Sequence, residues 1–352
     1  MKEPRSSRRQ HNVPTVSDVA ARAGVSPMTV SRVINDKASV RPATRERVEE
    51  AIAALNYAPN AAARMLAGGE DVRIGVLHTN PSFFYFSEFL IGCLDQASRQ
   101  TVQILIEKCE TGTEIAAIEH LTRGRIDGII LPPPLCDSAL VLEALHERGI
   151  PVVAISTGRA PGWALSVSID DRRAAYDMTR HLGDLGHRRI GFITGAPNQT
   201  ASAERLEGYR AALADLDLPV SDALIADGLF TYRSGLEAAE RLLDLPEPPT
   251  AIFAANDDMA AAAIAVAHRR GLDVPRDLAV VGFDDSALAT TIWPELTTIR
   301  QPVTDMARMA VELLVEALRL DRSTAPGEIA EPHVQIDYTL TRRESDAPPR
   351  AA

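Results

Sequence analysis

The residues best placed to do chemistry near the start of the chain lie between positions 26 and 35, and their chemistry is recognition. Helical spacing turns Thr29, Val30 and Val33 to one side and leaves Met28, Ser31, Arg32 and Asn35 on the other. A helix fits the major groove of DNA, and an arginine on it can donate two hydrogen bonds to O6 and N7 of guanine. Two helices joined by a glycine-containing turn also occur as plain helix packing, so this pattern alone leaves both readings open. Catalytic patterns are missing: there is no Gly-rich phosphate loop, no Gly-x-Ser-x-Gly elbow and no metal-ligand cluster. His187, in Leu185-Gly186-His187, has no acid or nucleophile evident beside it and reads as structural. Asp170-Asp171 reads as a helix cap near a crossover, not as a catalytic carboxylate pair.

The elements that must hold Arg32 follow from the flanking sequence. Val16–Ala23 is expected to form a helix with Val16, Val19, Ala20 and Ala23 inward. Gly24 can end it, because glycine accepts the positive φ of a helix C-terminus. Ser26 caps a second helix, and Pro27 suits its first position. Thr44–Leu55 makes a third, with Val48, Ala51, Ile52 and Leu55 inward. Pro59-Asn60 then opens an alanine-rich segment closed by Gly68-Gly69, about two turns long and too short to be stable alone.

From residue 72 the rhythm changes to strand, helix, strand. Apolar runs fall at 73–78, 102–106, 128–131 and 152–155, then at 190–194, 223–226, 251–254 and 279–283. Two successive series of this kind predict an α/β core of two doubly wound parallel-sheet lobes with a cleft between them. A helix over 304–318 and a strand over 334–340 should complete it.

Charge divides along the same line. Residues 1–70 carry 11 Lys/Arg against 7 Asp/Glu, while the remainder carries 26 against 41. A positive head on a negative body suits a head that meets phosphate. No long uncharged apolar stretch suggests a membrane span, and the basic N-terminus lacks the apolar run of an export signal. Cys93, Cys109 and Cys136 match no zinc or redox spacing and are expected to be buried thiols in a reducing cytoplasm.

The run Val16-Ser17-Asp18-Val19-Ala20-Ala21-Arg22-Ala23-Gly24-Val25-Ser26-Pro27-Met28-Thr29-Val30-Ser31-Arg32-Val33-Ile34-Asn35 closely resembles the headpiece of the lactose-repressor (LacI/GalR) family. The resemblance continues through Leu55–Asn60 and Ala63-Arg64-Met65-Leu66-Ala67 and covers nearly the whole core. It implies that Pro27, Met28 and Arg32 occupy base-reading positions, with Arg32 the one strong hydrogen-bond donor. Thr15, Ser26, Ser31, Asn35, Tyr57 and Asn60 become candidates for phosphate contacts. Leu66 matches the leucine that wedges into the minor groove beside its symmetry mate and kinks the duplex.

The core also resembles periplasmic sugar-binding proteins. That likeness places an effector site at Arg205, Phe230, Asn256 and Asp284, at or just beyond strand ends. Asn80, Tyr85 and Phe86 of the first lobe and Gln301 at the return crossover are further candidates. Arg, Asn and Asp together can bracket neighbouring hydroxyls while an aromatic ring covers the apolar face of a sugar.

The resulting expectation is a cytoplasmic, effector-responsive, sequence-specific DNA-binding regulator. It should repress carbohydrate uptake or catabolism genes by binding a pseudo-palindromic operator as a homodimer, with no cofactor or metal. A purine or nucleoside effector is the alternative. A transport solute-binding protein would explain the core but not the headpiece. The expected domains are a disordered basic tail (1–13), a helix-turn-helix domain (14–59), a hinge helix and linker (60–71), a two-lobed core (72–343) and a disordered tail (344–352). Within the core, lobe 1 takes 72–169 plus 303–330, and lobe 2 takes 170–300 plus 331–343.

Overall fold

The computed structural model describes residues 16–34, 40–55, 72–79, 82–321 and 333–350. The chain divides into two compact units, one ending at Asp71 and one beginning at Val72. Thr15, Asn35, Tyr57, Asn60, Leu66 and Asn80 lie outside the described residues.

The first unit contains α1 (Val16–Ala23), α2 (Pro27–Ile34) and α3 (Pro42–Ala54). Val19, Ala20, Ala23, Val30, Val33, Val48 and Ala51 are buried together, with Val16, Ile52 and Leu55 packed at their margin. This is the face that helical spacing selects. Gly24 takes φ +66°, where an L side chain would be strained, and so lets the chain turn sharply between α1 and α2. Ser26 Oγ accepts from the Thr29 backbone N–H at 3.2 Å, which caps α2 as expected.

The second unit holds two six-stranded sheets. The first is ordered β11-β5-β4-β3-β1-β2, from His333–Gln335 (β11), Leu165–Ser168 (β5), Val152–Ile155 (β4), Gly128–Leu131 (β3), Val72–His78 (β1) and Val102–Lys108 (β2). Every pairing in it is parallel. The second is ordered β12-β10-β9-β8-β6-β7, from Thr339–Thr341 (β12), Thr297–Arg300 (β10), Ala279–Asp284 (β9), Ala251–Ala254 (β8), Ile190–Ile193 (β6) and Ile225–Ala226 (β7). Only β12 runs antiparallel there. Strands β3, β4, β6, β8 and β9 are buried at every residue, which explains their unbroken apolar runs. The chain passes between lobes after β5, after β10 and between β11 and β12.

Two boundaries differ from expectation. The single strand anticipated over 334–340 is two short strands in different lobes, because β11 pairs with β5 and β12 with β10. Residues 333–335 therefore belong to the first lobe, not the second. The tail after 343 is ordered and packed through Arg350. Ser345 Oγ donates to the Val280 carbonyl at 2.6 Å, and the Val280 N–H returns a bond to the Ser345 carbonyl. His187 explains part of this: its Nε2 donates to the Ala347 carbonyl at 2.9 Å while Nδ1 meets Thr250 Oγ1. Polar composition suggested a loose end, but pairing to β9 satisfies the backbone groups that would otherwise favour water.

No helix among the described residues is long and apolar enough to cross a membrane. All three cysteines are buried, and burial pushes the Cys93 thiol up to about 12.

Candidate functional site

A partly open cavity of about 30 Å³ lies between the lobes, lined by Tyr85, Arg205, Phe230, Asn256, Asp284 and Gln301 together with Ser82, Pro133, Ser156, Gln199 and Ala201. The elements deliver these side chains in definite ways. The helix α8 (Thr200–Asp215) buries Ala201, Ser202, Arg205, Gly208 and Tyr209 along one stripe, so Arg205 points inward despite its charge. Its Nε donates to Asp171 Oδ1 at 2.7 Å, its Nη1 donates to the Ala255 carbonyl at 2.6 Å, and Asp284 stands 4.0 Å away. The guanidinium also lies 3.5 Å from the centre of the Phe283 ring, within cation–π range.

Asn256 is both cap and wall. Its Oδ1 accepts from the Met259 N–H at 3.0 Å at the start of the helix α10 (Asp257–Arg269), and its Nδ2 donates to the Phe230 carbonyl at 3.2 Å. Gln301 Nε2 donates to Asp284 Oδ1 at 2.5 Å, and its buried Oε1 has no partner among the described residues. Tyr85, at the first turn of the helix α4 (Phe83–Gln100), pairs its hydroxyl with Ser156 Oγ at 2.9 Å.

The backbone around the cavity is held away from relaxed geometry. Ser156, Phe230 and Asp284 take φ values of 58°, 58° and 119°. Such conformations cost about 1–3 kcal/mol each and persist where surrounding structure enforces them, often at ligand sites. Gly195 leaves room for the Phe230 ring, which a Cβ there would overlap.

Burial pushes the Asp284 carboxyl well above its usual range; the Arg205 guanidinium opposes this, and Asp257 and Asp258 reinforce it. Burial also raises Asp171, again against the pull of Arg205. Asp257 rises to about 7, chiefly through burial and despite hydrogen bonds from Thr298 and Ser286.

Of the effector candidates, Tyr85, Arg205, Phe230, Asn256, Asp284 and Gln301 come together. Phe86 does not: its ring stacks on His78 at 3.7 Å and lies against Phe89. Neighbouring helical positions diverge by about 100°, so only one of Tyr85 and Phe86 can face the cleft. Pro133 and Ser156 follow β3 and β4 directly. The strand-end rule used for the second lobe would have found them in the first. Asp170 caps the helix α7 (Asp171–Asp184) by accepting from the Arg173 N–H at 2.8 Å, as read from sequence, whereas Asp171 is the buried partner of Arg205. Among the described residues no group of three or more His, Cys, Asp or Glu could hold a metal ion.

In the first unit, Ser26, Pro27, Met28 and Arg32 are exposed, with Met28 at 65%. Ser31 lies on the same helix, α2.

Comparison with known proteins agrees with both units. Residues 15–60 match the family "Bacterial regulatory proteins, lacI family", and residues 179–345 match "Periplasmic binding protein-like domain". Catabolite control protein A of Priestia megaterium is 36% identical over 334 residues, covering 94% of this chain and 98% of that protein. The solved complex of the transcriptional regulator CelR with cellobiose superposes with a TM-score of 0.71 at 33% identity, covering 94% of this chain and 99% of that one. The lac repressor dimer bound to operator and an anti-inducer gives a TM-score of 0.74 at 27% identity, covering 95% and 99%. With a helix-turn-helix that exposes Arg32 and a two-lobed core around a walled cavity, the chain belongs to the lacI family of bacterial regulatory proteins and is a DNA-binding transcriptional regulator, not an enzyme.

Proposed function

We propose that the chain works as a homodimer that represses carbohydrate uptake or catabolism genes and senses a small sugar in the cavity between its lobes. The observation that carries this reading is the convergence of Arg205, Asn256, Asp284 and Phe230 from one lobe with Tyr85 from the other around one partly open cavity. Hydroxyls of a sugar ring would meet the polar groups, and the Phe230 ring would cover an apolar face. A ligand that touches both lobes favours one lobe arrangement over another in proportion to its differential affinity. CelR, whose core is similar, was solved with cellobiose, which supports a saccharide class.

On the DNA side, Arg32 carries direct base readout, and Met28 contributes apolar contact with a thymine methyl. Thr15, Ser26, Ser31, Asn35, Tyr57 and Asn60 set register on phosphates. Leu66, paired with its copy in the second protomer, wedges the minor groove, so that ordering of the hinge at 60–71 links lobe movement to operator affinity. A gel shift on a palindromic operator, run across salt concentrations and with a panel of sugars, tests the whole reading. Sequence-specific binding altered by one sugar is expected, and absence of specific binding at every salt concentration would sink it.

A further inference from the structure

We infer that the cavity selects an uncharged ligand rich in hydrogen-bond donors, and that it rejects the phosphorylated form of the same ligand. This rests on the sensor reading above and concerns the charge its site accepts. Among the described lining residues Arg205 is the one cation, and it is already engaged: Asp171 and the Ala255 carbonyl take two of its N–H groups, and Asp284 lies 4.0 Å off. Asp171 and Asp284 stand beside that guanidinium, Asp284 lines the cavity itself, and Asp257 and Asp258 lie close enough to Asp284 to act on its carboxyl. Asp258 accepts from Ser82 Oγ at 2.9 Å, and Asp257 accepts from Thr298 Oγ1 at 2.6 Å and the Ser286 N–H at 2.8 Å. A phosphate group entering here would give up its water and find no unpaired cation among the described lining residues. Desolvating a charge without a partner is strongly unfavourable.

The second observation concerns donors and acceptors. Gln301 Nε2 donates to Asp284 Oδ1, so its Oε1 must find a different donor. Among the described residues its Oε1 is a buried acceptor without a donor, on a residue that is 3% exposed and lines the cavity. Leaving such a group unmet is costly, so a ligand hydroxyl or N–H is the fitting partner. The same surroundings that push the Asp284 carboxyl away from its charged form penalise an anionic ligand.

The test is thermal shift and calorimetry on the full chain with matched pairs: glucose, ribose, cellobiose and adenosine, each beside its phosphate ester at constant ionic strength. At least one neutral member should bind, with its ester weaker by about 100-fold or more. An ester that binds as tightly as its parent overturns the charge assignment and leaves the sensor reading standing. Binding of an ester whose neutral parent does not bind overturns the charge assignment equally. Gln301→Met should weaken the neutral ligand about tenfold while the ester stays excluded, and unchanged affinity would remove the acceptor role given to Oε1.

Discussion

Asp137 of the first lobe and Thr200 of the second are bonded directly across the cleft. The Thr200 backbone N–H donates to Asp137 Oδ2 at 2.8 Å, and its hydroxyl donates to Asp137 Oδ1 at 2.9 Å. The carboxylate thus completes the N-terminus of α8, the helix that carries Arg205, from the opposite lobe. Thr157 Oγ1 adds a third bond to it at 2.6 Å. Lobe closure and the placement of Arg205 are therefore one event.

Asp137→Ala should loosen that closure without unfolding either lobe. Losing a charge-assisted cap costs about 1–2 kcal/mol, enough to shift lobe populations several-fold. Hydrogen exchange at the Thr200 amide should accelerate and bound ligand should leave faster. Unchanged exchange at that amide would show that the contact does not hold the lobes.

Arg205 has a structural duty beside its place in the cavity, which changes what its replacement reports. Arg205→Ala strands Asp171 as a buried, unpaired carboxyl, and breaking such a pair costs about 3–5 kcal/mol. The melting temperature should fall markedly, and the double variant with Asp171→Ala should recover part of it. A single variant as stable as the parent would mean the pair contributes nothing to the fold.

Much of this architecture was legible in the sequence because both periods are clean. The α1–α3 core follows the 3.6-residue spacing, and β3, β4 and β8 have the bounds their apolar runs suggest. What stayed hidden lacks such a run. β5 (Leu-Ser-Val-Ser) is half polar and β10 (Thr-Thr-Ile-Arg) mostly so, and the late strands β11 and β12 pair with strands distant in sequence. The cavity followed the same division. Arg205, Asn256 and Asp284 sit on motifs, but Ser82, Gln199 and Ala201 enter only because α4 and α8 begin beside the cleft.

Gly195→Ala should disable the cavity with little effect elsewhere. The added methyl overlaps the Phe230 ring, whose backbone already sits at φ 58°, so the ring must leave its place. Overpacking of this kind costs about 1–3 kcal/mol. Calorimetry should show ligand affinity lost while the far-ultraviolet circular dichroism is preserved. Full affinity would mean that Phe230 is not part of the binding wall.

The packed tail should be pH-sensitive in a defined direction. Burial raises the Asp346 carboxyl, but hydrogen bonds from His181 and Thr297 outweigh it and hold the group below its usual value of 3.8. A depressed folded-state value stabilises above the unfolded value and is lost as pH falls through the folded one. Asp346→Asn should therefore destabilise by about 1–3 kcal/mol at neutral pH, with the difference closing as pH drops below about 4. Denaturant titrations of both proteins across that range check this, and a gap that persists in acid would contradict it.

Arg32 should separate base reading from phosphate attraction. It is exposed on α2 beside Met28 and Pro27, neither of which has a side-chain donor, so it is the donor among these three residues. Arg32→Ala should cost about 1–3 kcal/mol on the specific operator and relax preference at the base pair it reads. Binding to random duplex should weaken far less, because that affinity comes from the summed phosphate contacts of the headpiece. Parallel titrations on operator and scrambled duplex at two salt concentrations measure both terms. An equal loss on the two duplexes would make Arg32 a phosphate contact, and operator choice would then depend on Leu66 and the deformability of the DNA.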